Sequence, residues 1–125
     1  MKLNKKEMGF VMKKTLPITR NSLFRRLYSK GKSGGNFDMV VYVMPVKSTV
    51  NRLGLTVSTK VGNAVVRNRI RRRLREAYRS IENNIPNGIN MVIVARSSAK
   101  DRRSPELKAS LVKILKKLDV WVDAE

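Results

Sequence analysis

LGLTVSTKVGNAVVRNRIRRRLREAYR, residues 53–79, changes its hydrophobic period part-way along. From Leu53 to Ser58, apolar Leu53, Leu55 and Val57 alternate with Gly54, Thr56 and Ser58, the pattern of a strand with one face on a core. After Gly62-Asn63 the spacing lengthens. At about 100° per residue Val66, Ile70, Leu74, Ala77 and Ile81 fall on one narrow stripe of a helix, with Asn63 as its N-cap. A half-buried strand running into an amphipathic helix is the frame around which the other segments are arranged.

The second face of that helix carries the chemistry. Six arginines occupy the nine positions from Arg67 to Arg75. Arg71, Arg75 and Arg79 are expected opposite the apolar stripe, with Arg67 and Arg72 flanking, Asn68 between them and Arg69 beside. Arg73 points near the stripe and is expected to snorkel past the core edge. Arg67/Arg71, Arg69/Arg73, Arg71/Arg75 and Arg75/Arg79 are like-charge i, i+4 pairs, each destabilising by roughly 0.2–0.5 kcal/mol, and Glu76 offsets only part of that. A charge run on a helix is ordinarily a solvated face that mixes lysine with glutamate. Here the mixing is absent and arginine is used throughout, which suits phosphates docked as charge-assisted, bidentate partners.

Composition agrees. With 28 Lys and Arg against 9 Asp and Glu, the chain carries a formal charge of +19, and a folded domain needs something anionic to compensate it. Between Met8 and Arg75 the only acid is Asp38. The chain has no cysteine and no histidine, which excludes zinc fingers, disulfides and imidazole acid–base chemistry. No catalytic centre and no metal site built from its own side chains is expected. No apolar stretch approaches the roughly 18 to 20 residues of a membrane span, and the first residues are too charged for a signal peptide, so a cytoplasmic location without membrane contact is expected. Gly31-Lys32-Ser33 resembles the end of a phosphate loop, but the glycine required five positions earlier is Arg26, so neither nucleotide nor another small-molecule substrate is expected.

Elsewhere the chain reads as alternating helices and strands. Residues 1–13 form an arm without clear period. Thr19 or Asn21 caps a helix bearing Leu23, Phe24, Leu27 and Tyr28, which Gly31 ends in a left-handed turn. Gly34-Gly35-Asn36 breaks the chain before a buried strand, Met39 to Met44, and Met91 to Ala95 is β-branched enough for an interior strand. Ser104-Pro105-Glu106 reads as cap, first-turn proline and first-turn acid of a last helix carrying Leu107, Leu111, Ile114, Leu115 and Leu118. The expectation is one α+β domain over 14–120, with a tail at 121–125.

Ala64, Arg67-Asn68-Arg69, Ile70, Arg71-Arg72, Leu74 and Arg75 resemble the signature of the protein subunit of bacterial ribonuclease P. The likeness extends to Phe24 and Tyr28, to Tyr42 and to Leu53–Lys60, and covers roughly residues 14 to 118. Arg73 departs from it, since an apolar residue is common there. The resemblance implies a fold like ribosomal protein S5 domain 2, of order αβββαβα, with a mixed four-stranded sheet and a left-handed strand–helix–strand crossover where the physical default is right-handed. It also implies an RNA subunit that performs Mg²⁺-dependent hydrolysis of the 5′ leader from precursor tRNA, with Mg²⁺ held mainly by RNA. By that resemblance Arg67, Asn68, Arg69, Arg71, Arg72 and Arg75 contact the catalytic RNA, and Phe24, Tyr28, Tyr42 and Lys60 line a cleft for the single-stranded leader. Stacking on aromatic faces is tolerant of sequence, as a protein accepting many leaders requires. A ribosomal or RNA-chaperone protein of the same fold, a stand-alone nuclease and a duplex-DNA binder are the alternatives; lack of histidine disfavours the nuclease, and charge alone does not separate RNA from DNA.

Overall fold

Ile89–Ala95 is buried along almost its whole length because it runs through the middle of the sheet with helices on both sides. The computed structural model of the protein describes residues 15–123. In chain order these form β1 (Thr15–Pro17), α1 (Asn21–Lys30), β2 (Lys32–Gly35), β3 (Met39–Pro45), β4 (Asn51–Val57), α2 (Ala64–Ile81), β5 (Ile89–Ala95) and α3 (Ser104–Lys117). The sheet order is β1-β4-β5-β3-β2. β4 pairs in parallel with β1 on one side and β5 on the other, whereas β3 runs antiparallel to β5 and β2 antiparallel to β3.

The α+β class stands, with one strand more than expected. The sheet has five strands rather than four, and the order is βαβββαβα. Strand β1 is three residues long, too short for any alternation to mark it, and it exists by pairing with Asn51–Leu53. Gly34 and Gly35 do not break the chain either. They lie in β2, where α3 packs Ile114 and Leu118 directly onto Gly34.

Two apolar layers hold the sheet. Met39, Val41 and Val43 of β3 and Met91 and Ile93 of β5 point to α2 and α3, meeting Ile70, Leu74, Ile81, Leu107, Leu111 and Leu115. On the opposite face Leu27 of α1 closes on Val92 and Ile18, with Leu23, Phe24, Tyr42 and Met44 only partly covered. One short helix is too narrow to roof that face, so a cleft remains beside it. Burying Ile70, Leu74 and Ile81 is worth about 1.5–3 kcal/mol each, which outweighs the roughly 1–2 kcal/mol of like-charge repulsion along α2.

Several ends differ from expectation. Neither Thr19 nor Asn21 caps α1; Arg20 holds the N-cap position without a side-chain bond, and Gly31 continues in extended backbone (φ −73°, ψ 152°), not a left-handed turn. A left-handed residue does follow α3, where Asp119 has φ 60°. Ser104 is the first residue of α3 rather than its cap, and its Oγ donates to Glu76 Oε2 at 2.7 Å, tying α3 to α2. Residues 121–123, grouped with the tail, are held to the domain: Val122 N donates to Asn84 O at 2.7 Å and Trp121 packs on the core. The arm at 1–13 lies outside the described residues.

The acid isolated in the sequence has a structural task. Asp38 is buried at the β2–β3 turn, where it accepts hydrogen bonds from Ser98 Oγ at 2.7 Å, Ser110 Oγ at 2.8 Å and Arg102 Nε at 3.0 Å. Burial alone would raise its pKa, but the Ser98, Ser110 and Arg102 bonds prevail and hold the carboxyl below 3.8. Its contribution is therefore complete above the unfolded value near 3.8 and is lost as pH falls through the lower folded value. Asp38→Ala is expected to cost about 1–3 kcal/mol in urea unfolding at pH 7, since it leaves Ser110 Oγ and Arg102 Nε without their acceptor, whereas Ser98 Oγ can still donate to Phe37 O at 2.8 Å. Repeating the measurement near pH 3 should show a smaller difference between variant and wild type; an equal difference would remove the charge from the account.

Candidate nucleic-acid interface

The arginine helix begins where the sequence places it. Asn63 Oδ1 accepts from Val66 N at 3.0 Å, satisfying one of the free N–H groups of the first turn. Ile70, Leu74, Ala77 and Ile81 are buried, joined by Tyr78, which the stripe did not include. Tyr78 shares a hydrogen bond of 2.8 Å with Thr15 Oγ1, and burial pushes its pKa up to about 12. That bond anchors β1 against α2.

Burial divides the arginines. Asn68, Arg69, Arg72, Arg75 and Arg79 are exposed, whereas Arg67, Arg71 and Arg73 are half-buried. Arg71 therefore does not stand opposite the core. It lies on the helix shoulder, its Nη1 donating to Asn68 Oδ1 at 3.0 Å, which holds guanidinium and amide together. Arg67 lies on the same shoulder, and its Nε is buried without a hydrogen-bond partner among the described residues. Arg73 turns the other way, as its direction predicts, and donates to Arg102 O at 2.9 Å.

Among the described residues no carboxylate forms an ion pair with an arginine of α2, although Glu82 lines the groove that Arg71, Arg75 and Arg79 border. The ion pairs among those residues join Arg102 to Asp38 at 3.0 Å and to Glu106 at 3.5 Å, and neither takes an arginine of α2. Glu76, the acid within α2, is engaged by Ser104. Apart from the Nη1 donors of Arg71 and Arg73, held by Asn68 and Arg102, the guanidinium groups thus keep their donors for an external acceptor.

Phe24, Tyr28 and Tyr42 come together as one aromatic cluster. The ring centroids of Phe24 and Tyr28 are 6.4 Å apart; Tyr28 and Tyr42 meet edge-to-face at 5.0 Å. Tyr28 is 41% exposed, and its hydroxyl bonds Thr56 Oγ1 at 3.3 Å. Phe24 closes on β4 only because position 54 is glycine, since a Cβ there would sit 2.6 Å from the ring. Lys60 is exposed in the loop between β4 and α2, four residues beyond Thr56, and its main-chain N–H donates to Ser58 Oγ at 3.1 Å.

The two groups of residues are not separate. A groove of about 450 Å³ has Phe24, Gly54 and Leu55 on one wall, Arg71, Arg75 and Arg79 on another, and Thr15–Ile18 closing it. Phe24, the member of the aromatic cluster that lines this groove, therefore joins the cluster to the arginine helix. Leu16 and Gly54 belong to it, as does Arg79, which the sequence placed on the charged face but not among the RNA contacts. Arg79 was signalled by its helical direction; Leu16 and Gly54 had no local signal, because their part depends on β1 and α1 meeting β4.

Comparison with known proteins agrees. The family model described as Ribonuclease P matches residues 12–119. The chain is 38% identical over 105 residues to the ribonuclease P protein component of Clostridium botulinum, covering 83% of this chain and 95% of that protein. It is 39% identical over 110 residues to that of Clostridioides difficile, covering 87% and 96%. The Staphylococcus aureus RNase P protein superposes with a TM-score of 0.76 at 38% identity, over 84% of this chain and 96% of that one. The Thermotoga maritima RNase P protein gives 0.69 at 28% identity, over 78% and 91%. Fold, arginine helix and sequence similarity across nearly the whole described region agree: the chain belongs to the ribonuclease P protein family.

Proposed function

We propose that this chain is the protein subunit of a ribonuclease P ribonucleoprotein, binding the catalytic RNA and the 5′ leader of precursor tRNA while the RNA subunit cleaves. The observation that carries this is the arginine face of α2, without a carboxylate partner among the described residues. Arg67, Asn68, Arg69, Arg71, Arg72 and Arg75 bind phosphates of the RNA subunit, the exposed members leading and Arg67 and Arg71 contributing from the shoulder. Phe24, Tyr28 and Tyr42 supply ring faces and edges to unpaired leader bases, and Lys60 pairs with the leader backbone.

Hydrolysis in this reading uses Mg²⁺, which prefers an octahedron of oxygen ligands. Among the described residues no three Asp or Glu side chains gather. The metal is assigned to RNA phosphates, and the protein's part is to neutralise charge and orient the two RNAs. The particle is proposed to be cytoplasmic; no helix among the described residues is long and apolar enough to cross a membrane.

Adding the chain to a ribonuclease P RNA should raise precursor-tRNA cleavage at low Mg²⁺, read on a gel of leader release; no stimulation would overturn the proposal. Arg72→Ala should weaken binding to the RNA subunit and lower the slope of log affinity against log salt by roughly one unit. An unchanged slope would take Arg72 out of the interface. Tyr28→Ala should reduce the preference for precursor over mature tRNA by about tenfold, the order of one lost base stack; equal binding losses for both RNAs would place Tyr28 outside leader recognition.

A further inference from the structure

A second groove lies at the other end of α1 from the Tyr28–Thr56 contact. Leu23, Arg26, Met44, Pro45, Val46, Lys47 and Asn90 enclose about 570 Å³, within the range of sites that hold a small organic group. Leu23 and Met44 supply an apolar wall continuous with the layer under α1. Arg26 and Lys47 are both exposed at the rim. Arg52, beside Asn90 in the register of β4 and β5, adds a third exposed cation on the same sheet face.

Asn90 is the unusual member. It is 5% exposed, and its Oδ1 is buried without a hydrogen-bond partner among the described residues. Buried amide oxygens are nearly always paired, because leaving one unpaired forfeits its hydration for nothing. A strand position between Ile89 and Met91 would be served more cheaply by valine. An amide kept there at a cost, on the wall of an open groove ringed by cations, calls for an outside donor.

We infer that this groove holds one nucleotide of the single-stranded leader, with Asn90 hydrogen-bonded to its base edge and Arg26 and Lys47 on its phosphate. The inference rests on the leader-binding reading above and extends it to residues outside the aromatic cluster. A base face covers Leu23 and Met44 while the backbone passes the cations at the rim. The carboxamide presents an acceptor beside a donor, and the terminal torsion of asparagine is broad enough to turn either outward. Every base carries a donor next to an acceptor on its Watson–Crick edge, so one amide can serve any of the four. Such a contact requires a base without specifying which, as leaders of varied sequence demand.

The test uses the reconstituted holoenzyme and precursor tRNAs with an abasic site moved one position at a time along the leader. With wild-type protein, one position served by this groove should lose about tenfold in affinity when its base is removed, the order of one good base contact. In Asn90→Leu that penalty should fall below about twofold at that position alone, while penalties from the aromatic cluster persist. Arg26→Gln should weaken binding whether or not the base is present, and lower the salt slope by about one unit. If Asn90→Leu loses its circular dichroism spectrum, Asn90→Ser removes the amide without added bulk and carries the same comparison. An abasic profile unchanged by the Asn90 variant overturns the inference, while the leader reading survives provided wild type still prefers precursor to mature tRNA. Loss of that preference in wild type overturns both.

Discussion

A single stripe of aliphatic side chains on α2 governs the rest of the molecule. Ile70, Leu74, Ala77 and Ile81 are buried against the sheet and α3, which fixes the helix's rotation about its own axis. Once that rotation is set, each arginine has an assigned direction. The stripe is narrow, so most of the circumference is left to charge, and apolar burial is strong enough to tolerate the repulsion that results. Were the helix free to roll, the guanidinium groups would spread apart in water and no ordered surface would exist.

Electrostatic isolation follows from where the acids went. Asp38 is drawn into a knot of hydroxyls and Arg102 that locks the β2–β3 turn to the start of α3. Glu76 faces Ser104, and Glu106 lies beside Arg102 and takes the Arg103 N–H at 3.2 Å. Each of these three is used for helix or turn geometry, whereas Glu82 lines the groove that Arg75 and Arg79 border without an ion pair to either. Stability and binding thus draw on different charges, which lets the binding surface remain uncompensated without unravelling the fold.

Asymmetry between the two sheet faces makes room for a substrate. Two long helices cover one face completely, and one ten-residue helix covers the other in part. The partial roof leaves Tyr42, Met44 and Thr56 half-open and lets Phe24 settle on Gly54. Rings and cations consequently share one surface, as a protein gripping unpaired, phosphate-rich chain requires.

What was legible in the sequence was local. The β4–α2 switch, the Asn63 cap, the stripe buried from Ile70 to Ile81, the outward direction of Arg75 and Arg79 and the divergence of Arg73 all depend on residues within a turn or two of one another, where period and capping chemistry act directly; Arg71, expected outward, is turned to the shoulder. The end of α1 was misjudged for the complementary reason: Gly31 takes its backbone from β2, which follows at once, not from helix termination. Strand β1, the docking of residues 121–123, the groove joining Phe24 to Arg71 and Arg75, and the buried amide of Asn90 lay beyond that reach. Each arises from segments brought together by the order β1-β4-β5-β3-β2, with partners such as Thr15 and Tyr78 separated by 63 positions. Pairing at such separation is decided by which faces must be covered at once, a condition the whole sheet imposes and no single stretch of chain carries.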